Sequence, residues 1–377
     1  MTEFNLSILQ TLGSHHKNLF EQLYANINTF STNKQIYDFV NKYIDENNLK
    51  KAFPIGISIN HVIAHDSYHE SNTIKLKLGD YIKIDVGLIE DCNIIDAART
   101  FIYKYDYSNP TLNTNLNLNL NPINDCKEIA HAVEDYVRKC IEKDGSILIQ
   151  KISTFSHMMI TSKNYSTVDY LGGHTIEYGK VHGKHYILNK PLHVLDPIAQ
   201  NFIDAKAVIG EGEMFAIEIY IGEKNIPGTM IKSLNIPTTH YEINQDFIIF
   251  QNHLNNMNNL NVDDIDNTNN TNNTNNTNNS YNFEIINFNQ IEKQTGMILS
   301  DEEKNILNNL YMDAKGLVYE YTINKKYNSK IIKKFIELNI IIKYEPLEFK
   351  CNDSKQKNKY IQYLPISIFL KSKRFVQ

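Results

Sequence analysis

Two aspartates interrupt strand-like apolar runs in the first third of the chain. Asp85 lies in YIKIDVG and Asp96, eleven residues later, lies in NIIDAARTF. Burying an unpaired carboxylate costs several kcal/mol, so such residues usually meet a cation or a group of hydrogen-bond donors. Their spacing suits a β-hairpin that brings the two side chains together. The alternative for each one alone is an ordinary strand-end or salt-bridged aspartate.

Further candidate ligands follow in two later motifs and precede the aspartates in one earlier motif. GGHTIEYGKVHG contains His174 and His182, and its glycines allow the backbone to pass close to a site. Glu218 stands in the apolar run MFAIEIYIG, which predicts a glutamate in the middle of a strand, with little solvent for its charge. His65 is a further donor or base in NHVIAHDSYH. A lone histidine is more commonly a surface or satisfied core residue, and that alternative stays open here.

Together these motifs supply two aspartates, one glutamate and up to three histidines. Oxygen-rich ligand sets of this kind suit divalent Mn, Co, Fe or Zn. Two ions bridged by carboxylates would lower the pKa of a bound water and hold a carbonyl and an amine. Residue types and spacing therefore favour a metallohydrolase.

The elements that would position these residues are mixed in type. Apolar spacing predicts helices within residues 17–49 and over Lys127–Lys143, and a capping box of Ser300 and Glu303 begins another helix. Strand-like segments are Asp80–Val86, Asn93–Tyr103, Met214–Tyr220 and Tyr363–Leu370. Because helices and strands are mixed along the sequence without a regular βαβ repeat, the predicted class is α+β.

Composition sets the remaining limits. The chain has 377 residues, a formal net charge of −5 and four scattered cysteines, so neither a general nucleic-acid surface nor a disulfide scaffold is expected. No secretory signal and no long apolar run are present, which predicts a cytoplasmic protein without a membrane span. Residues 252–280 consist largely of Asn and Thr and predict a disordered loop.

The order of the motifs AFPIGISIN, KIDVG, IIDAA, GGHTI, VHG and GEGEMFAIE resembles that of the type 2 methionine aminopeptidases. These enzymes are metallopeptidases of the pita-bread fold. The resemblance covers roughly residues 20–225 and, weakly, 285–375. It implies a pita-bread α+β catalytic domain over 1–231 and 343–377, and a helical insertion over 232–342 that contains the Asn-rich loop.

The resemblance also implies the ligands of one or two divalent ions, Co, Mn, Zn or Fe. Asp85 would chelate one ion and Asp96 would bridge both. His174 and Glu218 would bind the other ion, and Glu218 would also take a proton from the attacking water.

The same resemblance implies the substrate contacts. His65 would meet the substrate amine or the leaving group, and His182 would steady the scissile carbonyl oxygen. Phe53 would line the methionine pocket, and His240 and Tyr344 match other pocket positions.

One expected ligand is missing from the C-terminal motif. The family places a bridging Glu directly after a Gln-aromatic pair, whereas this chain has Leu364 after Gln362 and Tyr363. The first ion, which Asp96, His174 and Glu218 would hold, keeps three protein ligands. The second ion, which Asp85 would chelate, loses a ligand, so its binding is weakened. A second departure is Arg99, beside the bridging aspartate; strand alternation predicts that it points away from Asp96.

Two main hypotheses follow. In the first, the protein removes the initiator methionine from nascent polypeptides, as a monomer. In the second, it is a catalytically impaired relative that binds the ribosome, RNA or a protein. A proline-specific dipeptidase on the same fold agrees less well with AFPIG and with the large insertion.

Overall fold

The structure of the protein is a computed structural model. It describes residues 4–68, 73–106, 121–191, 206–222, 231–233, 240–244, 247–251, 283–314, 317–318, 329–344, 347–349, 360–363, 368–371 and 374–376. Helices and strands are mixed along this part of the chain. None of the helices in it is long and apolar enough to cross a membrane.

The helices are α1 (Leu6–Asn26), α2 (Asn33–Glu46), α3 (Asn121–Asp144), α4 (Ile149–Ser162), α5 (Phe288–Thr295), α6 (Asp301–Ala314) and α7 (Ser329–Glu337), with a short 3₁₀ turn at Ile27–Thr29. The strands of the first half are β1 (Lys50–Lys51), β2 (Gly56–Ile59), β3 (Val62–Ala64), β4 (Tyr81–Glu90), β5 (Asn93–Ile102), β6 (Ser146–Leu148), β7 (Ser166–Thr167), β8 (Gly172–Ile176) and β9 (Tyr186–Leu188). Those of the second half are β10 (Val208–Gly210), β11 (Met214–Ala216), β12 (Ile219–Gly222), β13 (Ile231–Ser233), β14 (His240–Ile243), β15 (Ile248–Gln251), β16 (Phe283–Ile286), β17 (Leu317–Val318), β18 (Ile341–Tyr344), β19 (Leu347–Phe349), β20 (Tyr360–Tyr363), β21 (Ile368–Lys371) and β22 (Arg374–Val376).

The N-terminal helical region consists of two helices. The Asn5 side chain caps α1, and the Thr32 side chain caps α2 by accepting a hydrogen bond from the backbone N–H of Gln35. The prediction of helices within 17–49 is thus confirmed, and the first helix begins earlier, at Leu6. The chain is extended at Phe30, and the second cap starts a new helix.

Strand β4 organises the sheet that carries the two aspartates. It pairs with β1 and β2 along one edge and with β5 along the other, all antiparallel. In this register Asp85 lies opposite Ala98 and Gly87 lies opposite Asp96. Because alternate residues of a strand share a face, Asp85 and Asp96 project to the same side of the hairpin.

Helix α1 covers the other face of this hairpin. The guanidinium carbon of Arg99 lies 5.0 Å from the ring centroid of Phe20 on α1. Arg99 therefore points away from Asp96, as its position in the strand predicts.

Two further sheets bring in the later motifs. Strand β8 pairs with β9 and β11, while β12 pairs with β7 and β20. The predicted continuous strand Met214–Tyr220 is therefore wrong: it is divided into β11 and β12, which belong to different sheets. Of the predicted strand Tyr363–Leu370, residues 364–367 lie outside the described part of the chain.

The predicted insertion, residues 232–342, contains α5, α6 and α7 together with strands β14 to β17, and it ends within β18. Its described residues form a separate apolar cluster that includes Tyr241, Phe247, Leu307 and Phe335. The capping box of α6 is confirmed, since the backbone N–H groups of Ser300 and Glu303 each donate to the other's side chain. The boundaries of the insertion stay a prediction, and the Asn-rich loop 252–280 lies outside the described residues.

Candidate active site

Three of the predicted ligands form a buried cluster. Asp96 on β5, His174 on β8 and Glu218 each offer one ligand atom, and these atoms lie within 4.8 Å of one another. The Nε2 of His174 lies 3.2 Å from Oε1 of Glu218 and 3.6 Å from Oδ2 of Asp96. The sequence thus predicted three side chains that the fold brings together from three strands or strand ends.

A backbone carbonyl group orients the imidazole of His174. Its Nδ1 lies 3.1 Å from the carbonyl oxygen of Thr175. A proton on Nδ1 would be donated to that carbonyl, which leaves Nε2 as the nitrogen facing the carboxylates. Metal-binding histidines are commonly fixed in this way.

Close backbone packing places His174 opposite the chain that leads to Glu218. In the register of β8 and β11, His174 lies opposite Ala216. A Cβ atom on Gly173 would stand only 1.9 Å from the carbonyl oxygen of Ala216. The glycine before the histidine is therefore required for this close approach, which is the role that its motif predicted.

Glu218 lies at the junction between β11 and β12, where the chain passes from one sheet to another. The Asn189 side chain stabilises this break: its amide nitrogen donates to the carbonyl of Glu218, and its oxygen accepts from the backbone N–H of Tyr220 at 2.6 Å. The prediction of Glu218 inside a strand is wrong for this reason. No pattern in the sequence indicates this role for Asn189.

Asp85 belongs to the same cavity and is held by a different network. Its Oδ2 accepts a hydrogen bond of 3.0 Å from the side-chain amide of Gln362. The same amide donates to the hydroxyl of Tyr220, which in turn donates to Oε2 of Glu218 at 2.6 Å. The sequence indicated Gln362 only as a position in the C-terminal motif and predicted no role for Tyr220.

The cavity above these carboxylates has a volume of about 70 Å³. Every predicted site residue whose side chain the structure describes lines this cavity. The side chain of Tyr344 lies outside the described part of the chain. The cavity lining includes Phe53, His65, Asp85, Asp96, His174, His182, Glu218 and His240. A second cavity of about 240 Å³ adjoins it and shares His65, His174, His182 and Glu218 with it.

Four histidines line the cavity and lie in two pairs. The ring of His182 lies 4.8 Å from that of His174, and the ring of His65 lies 5.8 Å from that of His240, centroid to centroid. Burial, followed by the charges of His65 and His182, lowers the pKa of His240 to about 3. The His240 side chain is therefore neutral and forms an uncharged part of the cavity lining. Its backbone pairs with that of Tyr344 across β14 and β18.

The three carboxylates and one imidazole strongly affect one another. Burial raises the pKa of Asp85 well above its usual value, and the charges of Asp96 and Glu218 raise it further. Burial also raises the pKa of Asp96. For His174 burial acts downward, but hydrogen bonds to Asp96 and Glu218 outweigh it and raise the pKa to about 10. The pKa of Glu218 is lowered because its contact with His174 outweighs burial.

The donor set fits a divalent metal ion. Three carboxylates and one imidazole converge in a buried pocket, and among the described residues no donor meets Oδ1 of Asp85. A divalent ion would neutralise this concentration of negative charge, as buried carboxylates require. Asp96, His174 and Glu218 could hold such an ion, since each offers one ligand atom.

A buried lysine that the sequence did not predict as a site residue, Lys83, also lines the cavity. It lies two residues before Asp85 on β4 and is only 1% exposed. Its Nζ donates to the carbonyl oxygen of Asn60 at 3.1 Å. Burial lowers the pKa of Lys83 to about 7, although the charge of Asp66 acts against this shift.

Replacing Lys83 with methionine should remove a pH-dependent cost of folding. The unfolded chain holds a proton on lysine up to the usual pKa near 10.5, whereas the folded protein loses it near 7. Wild-type stability should therefore rise with pH relative to Lys83→Met, by about 4 kcal/mol between roughly pH 6 and pH 10. Denaturant unfolding across this range measures the difference. Lys77→Met, on an exposed position, is the control and should give a curve parallel to wild type; parallel curves for Lys83→Met would contradict the prediction.

Comparison with known proteins agrees with this geometry. Residues 8–248 match the model of metallopeptidase family M24. A methionine aminopeptidase of Thermococcus kodakarensis is 27% identical over 184 residues, which cover 48% of this chain and 52% of that enzyme. A methionine aminopeptidase 2 of Clavispora lusitaniae is 26% identical over 246 residues, which cover 61% and 49% of the two chains. This chain spans about half the length of these curated relatives.

A solved structure supports the fold across nearly the whole chain. The structure of a thermophilic Arx1 covers 97% of this chain and 88% of its own, with a TM-score of 0.56 and 10% identity. The predicted α+β pita-bread fold is confirmed. Since the family model matches more than half of its residues, this chain belongs to metallopeptidase family M24.

Proposed function

We propose that the protein is a metal-dependent aminopeptidase of the methionine aminopeptidase type 2 group, which removes the initiator methionine from nascent polypeptides. The observation that carries this proposal is the buried cluster of Asp96, His174 and Glu218 at the base of a cavity lined by His65, His182 and Phe53. The curated relatives are methionine aminopeptidases, which supports the same activity.

The cluster would hold one divalent ion, Co, Mn, Zn or Fe, with Asp85 as a further carboxylate beside it. Such an ion supplies a water that is activated near neutral pH and polarises a carbonyl group. Glu218 is the candidate general base. Its Oε1 faces His174 and its Oε2 accepts from Tyr220, so the carboxylate is fixed in one orientation.

The proposed metal site favours a free N-terminus. An ion held by Asp96, His174 and Glu218 could also bind the uncharged α-amine of a peptide, a group that an internal peptide bond lacks. This supports an exopeptidase acting at the amino end.

The histidines and the apolar wall would position the substrate. His182 and His65 both line the cavity. In this proposal His182 steadies the scissile carbonyl oxygen, and His65 contacts the substrate amine or the leaving group. Phe53, packed against Gly87, and the neutral His240 provide an uncharged surface for an unbranched side chain such as that of methionine. Tyr344 is proposed as a further contact.

Hydrolysis of the peptide Met-Ala-Ser tests the proposal directly. Metal-free protein should be inactive, and Mn, Co, Zn or Fe should restore release of free methionine. The acetylated peptide, which lacks the α-ammonium group, should be resistant. Absence of methionine release with all of these ions would contradict the proposed activity.

A second candidate function rests on Leu364, which replaces the acid that the family resemblance leads one to expect. In this alternative the protein is a catalytically impaired relative that binds the ribosome, RNA or another protein. Tight metal uptake without methionine release would favour it. For either function we propose a monomeric, cytoplasmic protein.

A further inference from the structure

A chain of hydrogen bonds connects two of the carboxylates that line the cavity, Asp85 and Glu218. Gln362 donates through Nε2 to Oδ2 of Asp85 at 3.0 Å and to the hydroxyl of Tyr220 at 2.9 Å. Tyr220 then donates to Oε2 of Glu218 at 2.6 Å. Two neutral side chains thus connect Asp85 to Glu218.

The two side chains are rigidly placed. Tyr220 and Gln362 lie opposite each other in the pairing of β12 with β20, and they are 4% and 2% exposed. Strand β20 is in turn fixed to β5 by Thr100. The hydroxyl of Thr100 donates to the carbonyl of Gln362 at 2.7 Å and accepts from its N–H at 3.1 Å.

The donors in this bridge face the carboxylates where a cation would otherwise lie. Both amide hydrogens of Gln362 are used, one toward Asp85 and one toward Tyr220. A second ion, which the family resemblance assigns to Asp85 and Asp96, would meet the positive ends of the N–H dipoles of Gln362 beside Asp85. It would have to displace them, and buried donors left without an acceptor are costly.

We propose that Tyr220 and Gln362 form a hydrogen-bonded bridge that takes the place of a second metal ion, so that the protein holds a single ion through Asp96, His174 and Glu218. This inference rests on the proposed function, because it assumes that the cluster binds metal. The bridge leaves Oε1 of Glu218 for the ion and commits Oε2 to Tyr220. It also explains how the cavity accommodates Asp85, since the amide of Gln362 partly offsets the carboxylate's charge.

The number of ions bound by the wild-type protein is the first test. Metal-free protein is titrated with Mn²⁺ by calorimetry, and the metal retained after gel filtration is measured by elemental analysis. We expect a single tight ion per chain, with the paramagnetic resonance spectrum of an isolated Mn²⁺. A pair of tightly bound, exchange-coupled ions would overturn the inference whether or not methionine is released. A single ion without methionine release would support the inference and contradict only the proposed activity.

Gln362→Glu is the second test, since it converts the donor beside Asp85 into a carboxylate. We expect this variant to retain an additional Mn²⁺ and to show the spectrum of a coupled pair. Gln22→Glu, on an exposed position of α1, adds the same charge elsewhere and should keep the wild-type stoichiometry. A Gln362→Glu protein that folds but still binds only the wild-type number of ions would overturn the inference.

Tyr220→Phe tests the bridge independently of Gln362. Loss of the hydroxyl releases Oε2 of Glu218, and loss of such supporting contacts commonly weakens metal binding by about 10- to 100-fold. We expect that loss for the single ion. Tyr165→Phe is a matched control, because the Tyr165 hydroxyl also donates to a carboxylate, Asp125, at 2.7 Å, outside the site. Equal affinities in the two variants would overturn the inference.

Discussion

Replacing Glu218 with glutamine should lower the turnover of a methionyl peptide by about 10²- to 10⁴-fold, the range typical of a lost general base. Glutamine preserves the size of the side chain and can still accept the hydrogen bond from Tyr220. It cannot take up a proton from an attacking water. The expected loss is therefore mainly in kcat, and it should persist when enough metal is supplied to saturate the site.

The measurement is the rate of methionine release from Met-Ala-Ser at saturating Mn²⁺ or Co²⁺. Glu211→Gln serves as the control because Glu211 is an exposed acid seven residues earlier in the chain, and it should leave the rate unchanged. A Glu218→Gln protein that retains its metal and the wild-type rate would show that another group accepts the proton.

The affinity for a divalent ion should rise about tenfold for each pH unit between roughly pH 6 and pH 8.5. In the metal-free protein, burial would lower the pKa of His174, but hydrogen bonds to Asp96 and Glu218 raise it to about 10. The imidazole must lose its proton before it can act as a ligand. Below about pH 10 the ion therefore competes with a proton, and the competition is stronger at lower pH. Over this range the effect amounts to more than 10²-fold.

Calorimetry in two buffers of different ionisation enthalpy measures both the affinity and the protons released. His131→Gln removes a histidine on α3 whose side chain is 45% exposed, and it should leave the pH dependence as in wild type. An affinity that stays constant over this range, with no proton released, would show that His174 is already neutral.

The sequence alone predicted the parts of the site that depend on local pattern. Asp85 and Asp96 lie in strands whose alternation is regular, so a hairpin with both acids on a common face could be inferred directly. Their meeting with His174 and Glu218 depended on family resemblance. These residues come from other sheets, and alternation within a strand does not indicate which sheet will pack against it.

The groups that were missed share a physical reason. Asn189 forms hydrogen bonds with the backbone of Glu218 and Tyr220 where the strand is interrupted. The continuous apolar run MFAIEIYIG gives no sign of this interruption. Lys83 occupies a position where strand pattern alone gives no sign that a charged residue is fully buried. Tyr220 is an ordinary strand residue until its hydroxyl is seen to join two carboxylate networks. Each of these roles arises only from tertiary packing.

The hydrogen bond from Gln362 to Asp85 also has a consequence for how the protein folds, since it joins residues 277 positions apart in the chain. Contacts of such long range slow folding, because the entropy of closing the intervening loop is lost before they can form. During synthesis the ribosome releases Asp85, Asp96, His174 and Glu218 well before Gln362. The emerging chain therefore contains the proposed metal ligands Asp96, His174 and Glu218 long before it contains Gln362, whose amide restrains Asp85. The hydrogen-bonded bridge to Asp85 can therefore form only after residue 362 has been synthesised.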